Sequence, residues 1–555
     1  MGSMRVSAIP LVVVLAIALA RPAVGSEGPG VPTPGASAPD ANPAAATFDI
    51  RDYGAVGDGV TLDTDAINAA IDAAAAAGGG TVLFPAGTYA SYTIRLKSHV
   101  HLHFEAGATL LAAVPTAERG YDPPEPGPGN EYQDFGHSHW QNSFMWGIGV
   151  ENISITGFGL IDGAGLWRGL GPQPPNAGNK TIALKLARNI TIRDISILNG
   201  GHFAILATGV DNLTIDNVRI DTNRDGINID SCRNVRIMNV SVNSPNDDAI
   251  VLKSSFGLGY AQPTENVTIT NSLVAGYDIG SLLDGTYQRT VTAAPDRDGP
   301  TGRIKFGTES NGGFKNITIS NIVFDRARGI ALETVDGGLL EDVTITNITM
   351  REVSNAPFFL RLGARMRGPE GMEPGELRRI RISNVNVYDA DPRYASIISG
   401  IPGYPVEDVT ISGVRIYYRG GLSLDDAAQQ PDTLVNTFFF NGPETGPRED
   451  PYAVPVRANA YPEPSMFGII PAYGFYIRHA EGIRIQDVEI HFMEEDERPA
   501  FVLDQVRDVE FTNVHADLAE GAPTFVLRDV EAFRATRAGA VDVLEVDQVE
   551  GTQEY

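Results

Sequence analysis

One cysteine, Cys232, is all that 555 residues contain. No intramolecular disulfide can form and no cysteine-based metal site exists, so Cys232 reads as a small buried filler. Positive charge is also scarce: 42 Lys and Arg face 69 Asp and Glu, for a net charge of −27. That balance argues against nucleic acid or an anionic membrane as partner, and an acidic ligand would need a local basic patch. Long apolar runs are missing too. The run "IPLVVVLAIALA" after Arg5 is too short for a comfortable membrane span. With the small residues Ala23–Gly25 behind it, it reads as a cleaved secretory signal over residues 1–25. The expected location is therefore secreted or periplasmic, with no membrane anchor after cleavage. Helical periodicity is almost absent. Only "TDAINAAIDAAAAAG" at 64–78 carries it, and 60 Gly and 36 Pro favour turns over long helices.

What is present is a repeat. The pattern of a small polar residue, then alternating β-branched and polar residues, then Asn or Asp, occurs as "ENISITG" (151), "RNITIRD" (188), "DNLTIDN" (211), "RNVRIMN" (233) and "ENVTITN" (265). It continues as "KNITISN" (315), "EDVTITN" (341), "RRIRISN" (378), "EDVTISG" (407), "EGIRIQD" (481) and "RDVEFTN" (507). Neighbouring copies lie about 22 to 26 residues apart, and longer gaps carry insertions. Each copy alternates with period two, which makes it a strand with one buried face. Asn or Asp then turns the chain. A β-rich unit of this length points to a solenoid. The prediction is an all-β chain: a single right-handed parallel β-helix over 48–540, with the 64–78 helix capping its N-terminal edge and long loops inserted between coils. Residues 26–47, rich in Pro, Ala and Gly, read as a flexible linker and 541–555 as a C-terminal tail. Asn189, Asn212, Asn266 and Asn316 sit in Asn-X-Ser/Thr sequences, but the repeat accounts for them as turn residues.

Against this background "NRDGINIDSCRNVRIMNVSVNSPNDDAIVLKSS" (223–255) is unusual, because Asp is a poor strand former. Setting "DGINID" (225–230) under "DAIVLK" (248–253), "GRIKFG" (302–307) and "RGIALE" (328–333) stacks Ile227, Ile250, Ile304 and Ile330 inward. Ile229, Leu252, Phe306 and Leu332 stack in the same way. Asp225 and Asp248 then occupy equivalent places on successive coils, with Asp247 beside them. Turn aspartates bonded to backbone N–H groups would explain one such residue. Three like charges held close do more: they raise one pKa and leave another group ionised. Such an acid–base pair is what glycoside hydrolysis uses.

The motifs "FDIRDYGAVGDG" (48–59) and "GGGTVLFPAGTY" (78–89) resemble the start of the pectate-lyase-like β-helix superfamily. "GLIDGAGLW" (159–167), the Asn-x-Asp of Asn223–Asp225 and the pair Asp247–Asp248 resemble glycoside hydrolase family 28, the polygalacturonases and rhamnogalacturonan hydrolases. The resemblance covers residues 48–350 best. It implies inverting hydrolysis, with Asp247 as general acid and Asp225 and Asp248 holding the attacking water. Two motifs depart. Where the family shows Gly-His-Gly, this chain reads Thr301-Gly302-Arg303; where it shows Arg-Ile-Lys, this chain reads Ala331-Leu332-Glu333. Arg303-Ile304-Lys305 lies one coil earlier and is expected to hold a substrate carboxylate in its place.

Further substrate-binding candidates are Asn223, His202 in "NGGHFAIL", and Lys253, Glu309, Glu333 and Arg361. Lys253, Asp230, Glu333 and Arg361 fall in one column, so a structural charge ladder is the alternative for them. "HSHW" (137–140) lacks a carboxylate partner for metal binding, and no metal or cofactor is expected. The insertions near 115–147, 282–300, 363–377 and 420–470 carry Trp140, Tyr287, Tyr461 and Tyr473. If they wall one end of the groove, only chain ends can enter. The leading expectation is a secreted, monomeric hydrolase, exo-acting on an acidic, pectin-like polysaccharide or oligosaccharide. Two rivals remain: a polysaccharide lyase using Arg303 and Lys305 as base and clamp, commonly with Ca²⁺, and a non-catalytic glycan-binding β-helix.

Overall fold

The repeated turns set the architecture. In the computed structural model, which describes residues 46–126, 132–133, 137–169, 171–294, 298–440 and 446–555, the second residue of most repeats has a left-handed backbone. Asn189, Asn212, Asn234, Asn266 and Asn316 all have φ between 56° and 60°. Asn tolerates this region because its short amide can hydrogen-bond locally. Its amide also bonds the amide of the coil below: Asn189 to Asn152 at 2.9 Å, Asn212 to Asn189 at 2.9 Å and Asn316 to Asn266 at 2.7 Å. A second ladder runs through Asn321, Asn347 and Asn384. The motif that looks like a glycosylation sequon thus has a conformational reason.

Successive coils pair in parallel and in register, making a right-handed parallel β-helix. Ile227, Ile250 and Ile304 align, as do Ile229, Leu252 and Phe306, and Lys305 aligns with Ala331. All six inward residues, and Ile330 and Leu332 with them, are buried in one continuous core. Outward residues differ between faces. The repeat strand Arg233–Met238 alternates between exposed and buried positions. The strands of another face are buried at every position: β1 (Phe203–Thr208), β2 (Asp225–Asp230), β3 (Ile250–Ser254), β4 (Ile304–Ser310), β5 (Ile330–Thr334) and β6 (Phe358–Leu362). A strand buried on both sides needs something over its outer surface; here the inserted loops supply that cover.

Helix α1 (Thr64–Ala76) lies over the N-terminal edge and buries Ile67, Ala70, Ile71 and Ala74, one helical stripe. The C-terminal end corrects the sequence reading. The expected tail forms a strand, Val541–Glu554, which pairs antiparallel with the last coil strand, Phe525–Ala538. It covers an edge that parallel stacking leaves open. The signal segment and nearly all of the linker lie outside the described residues. Among the described residues no helix is long and apolar enough to cross a membrane.

Candidate active site

The β2–β3 register places Asp225 and Asp248 on adjacent coils, and the turn before β3 adds Asp247. The Asp248 N–H donates to Asp247 Oδ1 at 3.0 Å and to Asp225 Oδ1 at 3.3 Å. One carboxylate oxygen from each of the three lies within 4.8 Å of the others. Asp225 and Asp248 are buried, whereas the Asp247 side chain keeps 25% of its exposure. The environments divide the proton. Burial, then the charges of Asp247 and Asp248, push the Asp225 carboxyl well above the usual carboxylate range. Burial would also raise Asp247, but the Arg224 guanidinium, a hydrogen bond from Asp225 and the Lys305 charge together hold it low. Of the three, Asp225 is therefore the carboxyl that favours a proton and Asp247 the one that favours ionisation.

Cations surround the three acids. Arg224 Nη2 lies 2.8 Å from Asp247 Oδ2, and its side chain keeps 23% exposure. The chain returns from the 282–300 insertion through Gly302, whose φ of 52° and close approach to the Ala275 carbonyl suit glycine alone. Arg303 follows. Its Nε donates to Asp248 at 2.7 Å and its two terminal nitrogens grip Glu463 at 3.1 and 2.7 Å. Lys305 lies 3.7 Å from Asp248 and 3.5 Å from Glu333, and donates to the Tyr461 hydroxyl at 3.2 Å. Both cations are buried, with side chains 3% and 2% exposed. The expected carboxylate clamp is thus only half in place: Arg303 borders the cavity beside the acids, whereas Lys305 does not line it. Their charges are already matched by internal carboxylates, which such buried cations require.

The 420–470 insertion forms the opposite wall. Phe438, Phe439, Tyr461 and Glu463 join Arg224, Asp247, Asp248, Arg303 and Arg328 around a cavity of about 530 Å³. Tyr461 stacks on Phe439 with ring centroids 5.3 Å apart. Of the four loop aromatics singled out in the sequence, Tyr461 alone lines this cavity. Trp140 is buried against Ala183, Phe203 and Leu206, Tyr473 belongs to the solenoid core, and Tyr287 stacks edge-on against Tyr277.

Asn223 is buried beside the acids and accepts from the Asn246 amide. His202 lies on the preceding coil, its ring 4.5 Å from that of Phe203, and burial holds it well below its ordinary pKa. Lys253 donates to Glu309 at 2.6 Å, and both side chains are under 9% exposed. The expected column is broken there by a register shift between Leu252 and Ser254, which brings Glu309 to Lys253. Burial pushes Glu333 up to about 7. Arg361 is corrected outright: it is 1% exposed and donates to Ser399 Oγ and to the carbonyls of Gly400, Val456 and Arg457. It anchors the 420–470 insertion to the solenoid instead of meeting substrate. The sequence reading missed Arg224, although it stands inside the quoted motif. It also missed Glu463 and Phe438, for which no local pattern gives a signal. The acid trio could offer oxygen ligands to a metal, but Arg224, Arg303 and Lys305 already balance its charge.

Known proteins resemble this chain in sequence and in fold. Residues 128–334 match the family model "Glycosyl hydrolases family 28", and residues 47–119 match "Rhamnogalacturonase A/epimerase, pectate lyase-like". A "Probable polygalacturonase" of Vitis vinifera is 27% identical over 66% of this chain and 74% of its own length. "Plasmin and fibronectin-binding protein A" of Streptococcus pneumoniae is 32% identical, but the match spans 44% of this chain and 33% of that protein. The solved structure of the Yersinia enterocolitica family 28 exopolygalacturonase superposes with a TM-score of 0.58 at 18% identity, covering 86% of this chain and 79% of the other.

Proposed function

From the premise that this chain belongs to family 28 of the glycosyl hydrolases and is a glycoside hydrolase of polygalacturonase type, we propose that it hydrolyses a uronate-containing, pectin-like glycan from a chain end and with inversion. The observation that carries this reading is the convergence of Asp225, Asp247 and Asp248 within 4.8 Å beside a cavity walled by an insertion. Asp247 protonates the leaving oxygen, taking its proton across the bond from Asp225. Asp225, now ionised, and Asp248 hold water and receive its proton as it attacks. Each turnover thus returns the proton to Asp225. Asp247 suits the acid role because it is the exposed member of the three.

The wall of Phe438, Phe439 and Tyr461 supports end-on binding, since aromatic faces are good platforms for sugar rings and a walled cavity admits termini. Arg224, which borders the cavity and keeps 23% exposure where Arg303 keeps 3%, is the cation best placed to meet a substrate carboxylate. The apolar N-terminal run supports export to where such polymers occur. Digestion of purified homogalacturonan and rhamnogalacturonan, with product sizes and anomers followed by chromatography and NMR, tests the reading. Small products released ahead of viscosity loss, with inverted anomeric configuration, are expected. Unsaturated products absorbing in the ultraviolet would establish a lyase instead, and no product from any uronate glycan would sink hydrolysis of this class.

A further inference from the structure

A second cluster of chemistry-bearing side chains lies on a different face of the helix, some five coil spacings of about 4.8 Å from the acid trio along the axis. The strand Phe475–Glu494 carries Glu489 and His491; the next, Phe501–Ala516, carries His515 and leads into Asp517. Register aligns Glu489 with His515, so the four form a two-by-two block, His491 facing Asp517. His491 Nδ1 lies 3.2 Å from Asp517 Oδ1, and His515 Nε2 lies 3.3 Å from the same oxygen. The edge of a tetrahedron around a zinc ion, with ligands at about 2.0–2.1 Å, is about 3.3 Å long. Two edges of such a tetrahedron, both from Asp517 Oδ1, therefore already have the required length, and ligand atoms of the three residues lie within 4.8 Å of one another.

The surroundings orient them. Tyr417, one coil earlier, stacks on the His491 ring at 4.5 Å and 22°. The other His491 nitrogen, Nε2, is buried without a hydrogen-bond partner and lies 3.6 Å from Glu489 Oε2. Glu489 is itself held by both nitrogens of the Arg415 fork, at 2.6 and 2.8 Å. A carboxylate that accepts from Nε2 would direct the other lone pair of the ring to a metal and raise its basicity, and Glu489 stands beside it to do so. Asp517 is fixed through its backbone, whose carbonyl accepts from the Tyr473 hydroxyl and whose N–H donates to Ile490. His491, His515 and Glu489 line a cavity of about 770 Å³, large enough for a hydrated ion, with Arg537 also in its wall.

We infer a zinc-type metal site formed by His491, His515 and Asp517, with water as fourth ligand, which clips two C-terminal coils together. Two imidazoles and one carboxylate favour zinc over calcium or magnesium. The rival is a simple salt bridge, in which protonated histidines pair with Asp517. Full-length protein, stripped with EDTA and desalted, is titrated with zinc chloride near pH 7.5, where unperturbed histidine is neutral. Calorimetry and the thermal unfolding midpoint are the readouts. One equivalent should bind and raise the midpoint. The His515→Ala protein should fold, because that side chain is 62% exposed. It should bind zinc roughly 100-fold more weakly or worse, lose the rise in midpoint and keep its hydrolytic rate. Asp517→Asn should behave alike. Absence of stoichiometric binding overturns the inference. So does binding that persists in both variants, since it would place the ion elsewhere, at the acid trio for example.

Discussion

The asparagine turns and the acid face are built on the same backbone repeat and obey opposite rules. On the turns, like stacks on like: each amide donates to its counterpart below and accepts from the one above, so identity between coils is favourable. On the acid face the same stacking sets carboxylate on carboxylate, and identity is unfavourable. The molecule answers by raising the Asp225 carboxyl's hold on its proton and with Arg224, Arg303 and Lys305 around the trio. A neutral column serves the fold, whereas a charged column holds an uneven distribution of protons that chemistry can use.

The sharpest test of that contrast is Asp247→Asn. It should lower kcat by about 10²–10⁴-fold while leaving the unfolding midpoint close to the parent, and retention of most of the rate on an unactivated substrate would refute the acid role. Next comes Arg303→Ala. Removing one partner of a buried ion pair typically costs about 3–5 kcal/mol, and here Asp248 and Glu463 each lose one cation while keeping Lys305 and Arg328 respectively. Chemical denaturation should register the loss, and acidic and carboxyl-reduced substrates should suffer equally. A stable variant that failed only on acidic substrates would restore the clamp reading.

Arg224→Ala should act differently. A charge-assisted hydrogen bond is worth about 1.5–3 kcal/mol, so uronate binding should weaken by roughly one to two powers of ten, with a much smaller effect on a carboxyl-reduced analogue. Arg224 also holds the Asp247 carboxyl low. Its removal should shift the acidic limb of the pH–rate profile upward, and an unmoved limb would break the link.

Stability should carry the sign of Asp225. Its folded carboxyl stays protonated above the pH, about 3.9, where the unfolded chain releases its proton. The folded state then binds more protons, so stability falls as pH rises from there through the raised value. Asp225→Asn should flatten that slope, as measured by denaturant midpoints across pH. The smallest effect belongs to the turns. Asn266→Ala forces alanine into a left-handed backbone at φ 57°, which costs about 1–2 kcal/mol. Asn266→Gly should lose less, and neither should change kcat.

Local chemistry is legible in sequence where a residue's neighbours are set by the repeat itself. The β-helix followed from period-two alternation and turn residues, and the stacking of Ile227 on Ile250 and Ile304 followed from coil alignment. The trio of Asp225, Asp247 and Asp248 was legible for the same reason, because one register step brings them together. What the outward side chains meet was not. Arg303 and Lys305 do point away from the core, yet a loop some 160 residues later supplies Glu463 and Tyr461 to cover them. Arg361 is turned into an anchor by carbonyls of that same loop. The tail became a strand because an open sheet edge was there to pair with. A solenoid's periodicity determines contacts between adjacent coils, whereas an aperiodic insertion folds onto whatever surface it can reach. The sequence by itself therefore determined the fold and the acids; only tertiary structure decided which cations neutralise them and which of those cations border the cavity.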